Sequence, residues 1–222
     1  MKFVFVHGAG CTPAVFAAQM AAFPSAIAPD LHALAPDAPS VEAYASALST
    51  VLASIDEPYA LVGSSMGGAV ALEATIAGAA PAALIAIGCA PKLRVAPQSL
   101  ATAEADFEAF IASIVPAYFG EATPGLVAAA AAQLRTVGQA RTLADLRACD
   151  AWDVAERASA LRLPVLVLTG GRDAMTPARF GQMLADRIPG GRMRILHGAG
   201  HLAMAESPAD TNEALRTFVS PP

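Results

Sequence analysis

Six short, nearly uninterrupted apolar runs punctuate the chain: Phe3 to Val6, Ala26 to Pro29, Tyr59 to Val62, Leu84 to Ile87, Val165 to Leu168 and Met193 to Leu196. Runs of this length without polar alternation predict strands covered on both faces, and helix-patterned stretches stand between them. The alternation specifies an α/β class: a mostly parallel six-stranded sheet with helices on both faces. Helices are expected over Pro13 to Ala22, Val41 to Ile55, Met66 to Ala77, Pro177 to Ile188 and Pro208 to Val219. The last two are opened by Thr176-Pro177 and Ser207-Pro208, each a capping residue followed by proline at the first helical position.

Between the fourth and fifth runs, Cys89 to Leu163 is far too long for a connection plus one ordinary helix. We read residues 1–222 as a single domain with a helical cap inserted over 89–163. Within it Phe107, Phe110, Ile111, Ile114, Val115 and Tyr118 recur at three- and four-residue spacing, which marks a helix with one apolar face. That face either packs in the core or lines a ligand pocket.

Composition removes several function classes. Apolar residues make up 55% of the chain and charged residues 15%, which excludes disorder. With 14 Lys plus Arg against 19 Asp plus Glu, no positive field exists to hold a phosphate backbone, so nucleic acid is not an expected partner. The longest uncharged run, Ala74 to Pro91, is interrupted by Gly78, Pro81 and Gly88, so no membrane span is expected. The first residues have too short an apolar run for a secretory leader, and a cytoplasmic location is expected. Cys11, Cys89 and Cys149 form no CxxC pair, so neither a disulfide framework nor a zinc site is expected.

The segment Tyr59 to Val70 reads as a strand, then Gly63-Ser64-Ser65-Met66-Gly67, then a helix. A strand turning sharply into a helix lifts the central hydroxyl out of the turn, which makes Ser65 the candidate nucleophile. A serine needs a base and a group that fixes the base's tautomer. His201, in the glycine-flanked loop after the last strand, is the candidate base, whereas His197 continues that strand and His32 has no evident partner. Asp173, just past the end of the fifth run, is the candidate orienting acid. The oxyanion would be held by backbone N–H groups of Met66 and of Ala9, with Gly10 the next choice.

His7-Gly8-Ala9-Gly10, Gly63-Ser64-Ser65-Met66-Gly67-Gly68, Gly170-Gly171-Arg172-Asp173 and Gly200-His201 together resemble a small single-domain α/β-hydrolase. The resemblance implies a triad of Ser65, Asp173 and His201, a helical cap over the site, strand order 2-1-3-4-5-6 and no cofactor or metal. Carbon-carbon bond hydrolases, thioesterases, lactonases and perhydrolases share these motifs. Gly8-x-Gly10-x-x-Pro13 narrowly misses a dinucleotide-binding turn, because proline replaces the third glycine. A non-catalytic ligand receptor on the same scaffold is a third class. The expected activity is a serine esterase acting on a small-molecule ester whose acyl group is small to medium and uncharged. Phe16, Met66, Met175, Phe107, Phe110 and Tyr118 are candidate pocket walls. Lys92 and Arg94 stand at the entrance of the insertion, either as solvated surface or placed to receive an acidic group.

Overall fold

The computed structural model describes residues 1–38 and 40–220. Five parallel strands, β1 (Lys2–Val6), β2 (Tyr59–Ser64), β3 (Ala83–Ile87), β4 (Val165–Gly170) and β5 (Arg192–Leu196), form one sheet in the order β1-β2-β3-β4-β5. The sheet has five strands rather than six because the run at Ala26 to Pro29 pairs through a single residue. Ile27 donates to the Phe3 carbonyl at 3.0 Å and accepts from the Phe5 N–H at 2.9 Å, outside β1. In a parallel ladder the next donor on that side is two residues on, and Pro29 has no N–H, so pairing stops.

The helices among the described residues are α1 (Ala17–Ala22), α2 (Leu31–Leu34), α3 (Val41–Leu52), α4 (Met66–Ile76), α5 (Pro97–Ala105), α6 (Phe107–Ile114), α7 (Pro124–Val137), α8 (Gln139–Ala151), α9 (Ala178–Arg187), α10 (Ala203–Glu206) and α11 (Pro208–Val219). Pro13 to Phe16, expected as helix, forms a 3-10 turn that leads into α1. The start of α9 also differs from expectation: the Thr176 hydroxyl does not cap the helix but donates to Asp173.

Alternate strand residues divide between two cores. Val4, Val6, Leu61, Leu84, Val165 and Val167 pack against Leu48 of α3, Val70 of α4 and Leu184 of α9. Phe3, Phe5, Val62, Ile85, Ile87 and Leu168 face the other way, toward Phe16, Met204 and Leu215. The outer strand β5 is largely exposed and carries Arg192 and Arg194, charges that discourage edge-to-edge pairing.

Residues between β3 and β4 hold α5 to α8, with α5 packed on α6 and α8, and α7 on α6 and α8. No helix of the described residues is long and apolar enough to cross a membrane. The uncharged run Ala74 to Pro91 divides instead among the end of α4, a turn and β3.

Candidate active site

Ser65 alone separates β2 from α4, at φ +52° and ψ −117°, and is the one non-glycine residue with positive φ among the described residues. Such a conformation costs about 1–3 kcal/mol and persists only where neighbours fix it. Here the Ser65 N–H donates to the Ile87 carbonyl at 2.8 Å, and its carbonyl accepts from Gly68 N–H at 2.9 Å. The turn also needs glycine at 67, because a β-carbon there would lie 2.1 Å from the Val6 carbonyl oxygen.

The loops after β4 and β5 are joined backbone to backbone, Gly171 N–H to Leu196 at 2.8 Å and Arg172 N–H to Ala199 at 2.8 Å. This join brings Asp173 to His201. His201 Nδ1 lies 2.9 Å from Asp173 Oδ2, and both residues are buried. Asp173 also accepts from the N–H groups of Met175 (2.9 Å) and Thr176 (2.8 Å) and from the Thr176 hydroxyl (2.7 Å). Burial by itself would raise its pKa, but His201 and the Thr176 hydrogen bonds outweigh burial and hold the carboxyl below its usual value. An ionised carboxylate only accepts, so the proton between the pair sits on Nδ1, and in the neutral tautomer this fixes Nε2 carries the lone pair. Gly88, directly after β3, makes room for the ring: a β-carbon there would stand 3.1 Å from His201 Nδ1.

The histidine loop is clamped by Glu206, whose carboxylate accepts from the N–H groups of Gly200 (2.6 Å), Gly120 (3.0 Å) and Glu121 (2.7 Å). Those three backbone bonds join the loop to the chain between α6 and α7. His197, the rival base, is exposed directly after β5 and is absent from the cavity lining.

Gly8 lies against the elbow, since a β-carbon there would be 3.3 Å from Ser65 Cβ. Among the described residues, the N–H groups of Ala9 and Met66 have no acceptor within the protein, whereas the Gly10 N–H donates to Asp145 Oδ2 at 3.0 Å. Gly10 is thereby committed, and Ala9 and Met66 remain available. Asp145, fully buried on α8, also accepts from the Tyr44 hydroxyl at 2.8 Å and bonds His32 Nε2 at 2.9 Å. Sequence reading missed it, although an acid inside the apolar pattern of Leu143, Leu146, Ala148 and Cys149 was the available signal. His32 thus has a partner that the sequence did not reveal.

His7, Asp30 and His32 bring possible ligand atoms within 4.8 Å of one another. Both His7 nitrogens are already engaged, Nδ1 with the Gly8 carbonyl at 3.1 Å and Nε2 with the Leu31 N–H at 3.0 Å. Burial, the largest influence, lowers the His7 pKa and keeps the ring neutral. This donor set holds the chain rather than a cation.

Removing the shared acceptor should be costly. Asp145→Ala would leave the Gly10 N–H, the Tyr44 hydroxyl and the His32 ring without their buried partner, and we expect about 3 kcal/mol of lost stability. Chemical denaturation measures this, and an unchanged midpoint would show that the network contributes nothing.

A cavity of about 310 Å³ opens over the elbow, and Ser65, His201, Gly8 and Ala9 all line it. Among the described residues no hydrogen bond joins the Ser65 hydroxyl to His201, a looseness common in sites without bound substrate. Of the expected wall residues, Tyr118 and Met175 line the cavity. Phe16, Phe107, Phe110 and the Met66 side chain do not. Phe16 is fully buried and stacks on Phe5 at 5.0 Å between ring centres, Phe110 stacks on Phe107 at 6.0 Å, and Met66 packs in the core beneath the elbow. Apolar spacing on a helix reports the face that meets other helices, and that face went into the core.

Two buried hydroxyls without partners, Ser64 Oγ and Thr142 Oγ1, belong to residues of the cavity wall and are groups that a bound molecule could satisfy. Cys11 and Cys149 line it too. Burial pushes the Cys11 thiol up to about 12 and Cys149 well above its ordinary value, so neither presents a thiolate to the cavity.

Comparison with known proteins agrees with this architecture. A pimeloyl-(acyl-carrier protein) methyl ester esterase of Neisseria meningitidis serogroup B is 40% identical over 74 residues, 28% of this chain and 29% of that protein. The chain therefore spans less than a third of the length of the curated relative it matches. An enol-lactonase from Burkholderia xenovorans superposes with a TM-score of 0.89 at 20% identity, covering 98% of this chain and 90% of that one. An esterase from Thermogutta terrifontis gives 0.85 at 21% identity, covering 99% and 89%. Identities this low speak to fold alone. Because the model of the alpha/beta hydrolase family matches residues 3–214, nearly the whole sequence, the chain belongs to that family.

Proposed function

We propose that this protein is a serine hydrolase that cleaves a small to medium, mostly apolar carboxylic ester through an acyl-enzyme. The observation that carries the reading is the strained Ser65 in the wall of the same cavity as His201, whose ring is hydrogen-bonded to Asp173. In this mechanism His201 Nε2 takes the Ser65 proton as Oγ attacks the carbonyl carbon. The N–H groups of Ala9 and Met66 receive the negative charge on the carbonyl oxygen, and Met66 opens α4, whose N-terminal dipole adds to the effect. His201 then gives its proton to the departing alcohol. Water, deprotonated by the same nitrogen, releases the acid and restores Ser65. Asp173 holds the imidazolium in place throughout. Each step uses a side chain or a backbone amide, and none uses a metal or cofactor.

A fluorophosphonate probe tests the assignment. The wild-type protein should be labelled on Ser65, and Ser65→Ala should not be labelled; persistent labelling would point to Ser64. A cavity near the lower end of the usual ligand-pocket range also favours short acyl groups. We expect p-nitrophenyl butanoate to exceed the palmitate ester by about tenfold or more in kcat/KM. Faster turnover of palmitate would contradict the cavity's size.

A further inference from the structure

The cavity lining includes Lys92, Arg94 and Arg187 and, among the described residues, no aspartate or glutamate. This occurs in a chain whose acids outnumber its cations, 19 to 14. Of the carboxylates close to this lining, Asp153 pairs with Lys92, Asp150 accepts from the Val95 N–H at 3.1 Å, Asp173 is bound to His201, and the buried Asp145 is held by Gly10, Tyr44 and His32. Neither Arg94 nor Arg187 forms a close ion pair among the described residues, although Arg94 stands near enough to Asp153 to help Lys92 hold that carboxyl below its usual value. Arg187 Nη1 donates to the Met183 carbonyl at 2.8 Å, one turn back on α9, and its other N–H groups remain free to bind. A cation in the last turn of a helix suits the helix dipole, which alone could account for Arg187. Arg94 lies on no helix, and it reaches the same cavity from the loop after β3.

The cavity also has a direction. Cys11, Tyr118, Thr142 and Cys149 form a buried wall, whereas Lys92, Arg94, Met175 and Met183 are exposed at the mouth. The buried side is mostly apolar apart from the unpartnered Thr142 hydroxyl, and the other side offers guanidinium groups next to apolar surface, where charge-assisted hydrogen bonds to an anion are strong. Resting on the serine hydrolase reading, we propose that the substrate is an ester carrying an anionic group apart from the scissile carbonyl, received by Arg94 and Arg187 of the cavity lining.

Matched ester pairs test this. For charge on the acyl side, the p-nitrophenyl monoester of glutarate is compared with p-nitrophenyl pentanoate. For charge on the alcohol side, para-butanoyloxybenzoate is compared with para-methylphenyl butanoate. At least one anionic ester should exceed its neutral counterpart by about tenfold in kcat/KM, a ratio that falls with added salt. The ratio should approach one in the Arg94→Gln, Arg187→Gln double variant and stay unchanged in Arg216→Gln, whose side chain lies over Phe23, both of them outside the cavity lining. Equal rates in both pairs, or a ratio unaffected by the double substitution, would overturn the proposal. Calorimetry of the same esters on Ser65→Ala keeps the two readings apart. If no ester is turned over, the hydrolase reading fails. Anion-selective binding that disappears with both arginines would still uphold the anion site, and equal binding of charged and neutral esters would refute it.

Discussion

Ser65→Ala should lower ester hydrolysis by about 10⁴-fold or more, with KM little changed and the fold intact. Alanine removes the attacking oxygen while retaining the β-carbon, so the backbone at residue 65 keeps the same φ of +52° and the same strain. The variant's stability should therefore equal that of the wild type. Ser65→Gly makes the complementary test, because glycine adopts positive φ without penalty: it should be equally inactive but more stable in thermal unfolding. A glycine variant no more stable than alanine would mean that the elbow stores no more strain than glycine's extra unfolded-state entropy offsets, about 0.5–1 kcal/mol.

Asp173→Asn should cost about 10⁴-fold in kcat through a different route. The amide can donate to Nδ1, which favours the tautomer with its proton on Nε2, where it cannot accept one from Ser65. The substitution also changes how stability depends on pH. The folded protein holds the Asp173 carboxyl below its ordinary value, so its ionised form stabilises the fold at neutral pH. That contribution is present above the ordinary carboxylate pKa and is lost as pH falls through the lowered one. The Asp173→Asn variant should lose less stability on acidification than the wild type does. Parallel acid limbs for the two proteins would show that the His201 and Thr176 bonds do not stabilise the ionised form.

The sheet and the positions of Ser65, Asp173 and His201 were legible because each depends on local patterns: an apolar run, a glycine-flanked elbow and a polar residue just past a strand end. The failures have physical causes as well. Pro29 looked like the end of a strand, yet its missing N–H is what removed that strand from the ladder. Thr176 was read through its neighbour Pro177 as a helix cap, but a buried carboxylate three residues earlier competes better for its hydroxyl. Phe107 and Phe110 carried the strongest apolar periodicity of the insertion, and for that reason they were drawn into the core and away from the cavity. Asp145 acts across more than a hundred residues of sequence, on Gly10 and Tyr44, and no local pattern announces such contacts.

The placement of Asp145 bears on how proteins of this build can diversify. Its carboxylate stands on α8, in the stretch between β3 and β4, yet it fastens the glycine loop beside Ser65; Glu206, from outside that stretch, grips Gly120 and Glu121 within it. The helices over the cavity are thus stitched to the machinery beneath in both directions. A chimera that grafts another protein's helices here would retain a working site only if the graft carried an acceptor for Gly10, Tyr44 and His32. On the serine hydrolase reading, specificity would therefore be more easily changed residue by residue around the mouth than by exchanging the helical segment whole.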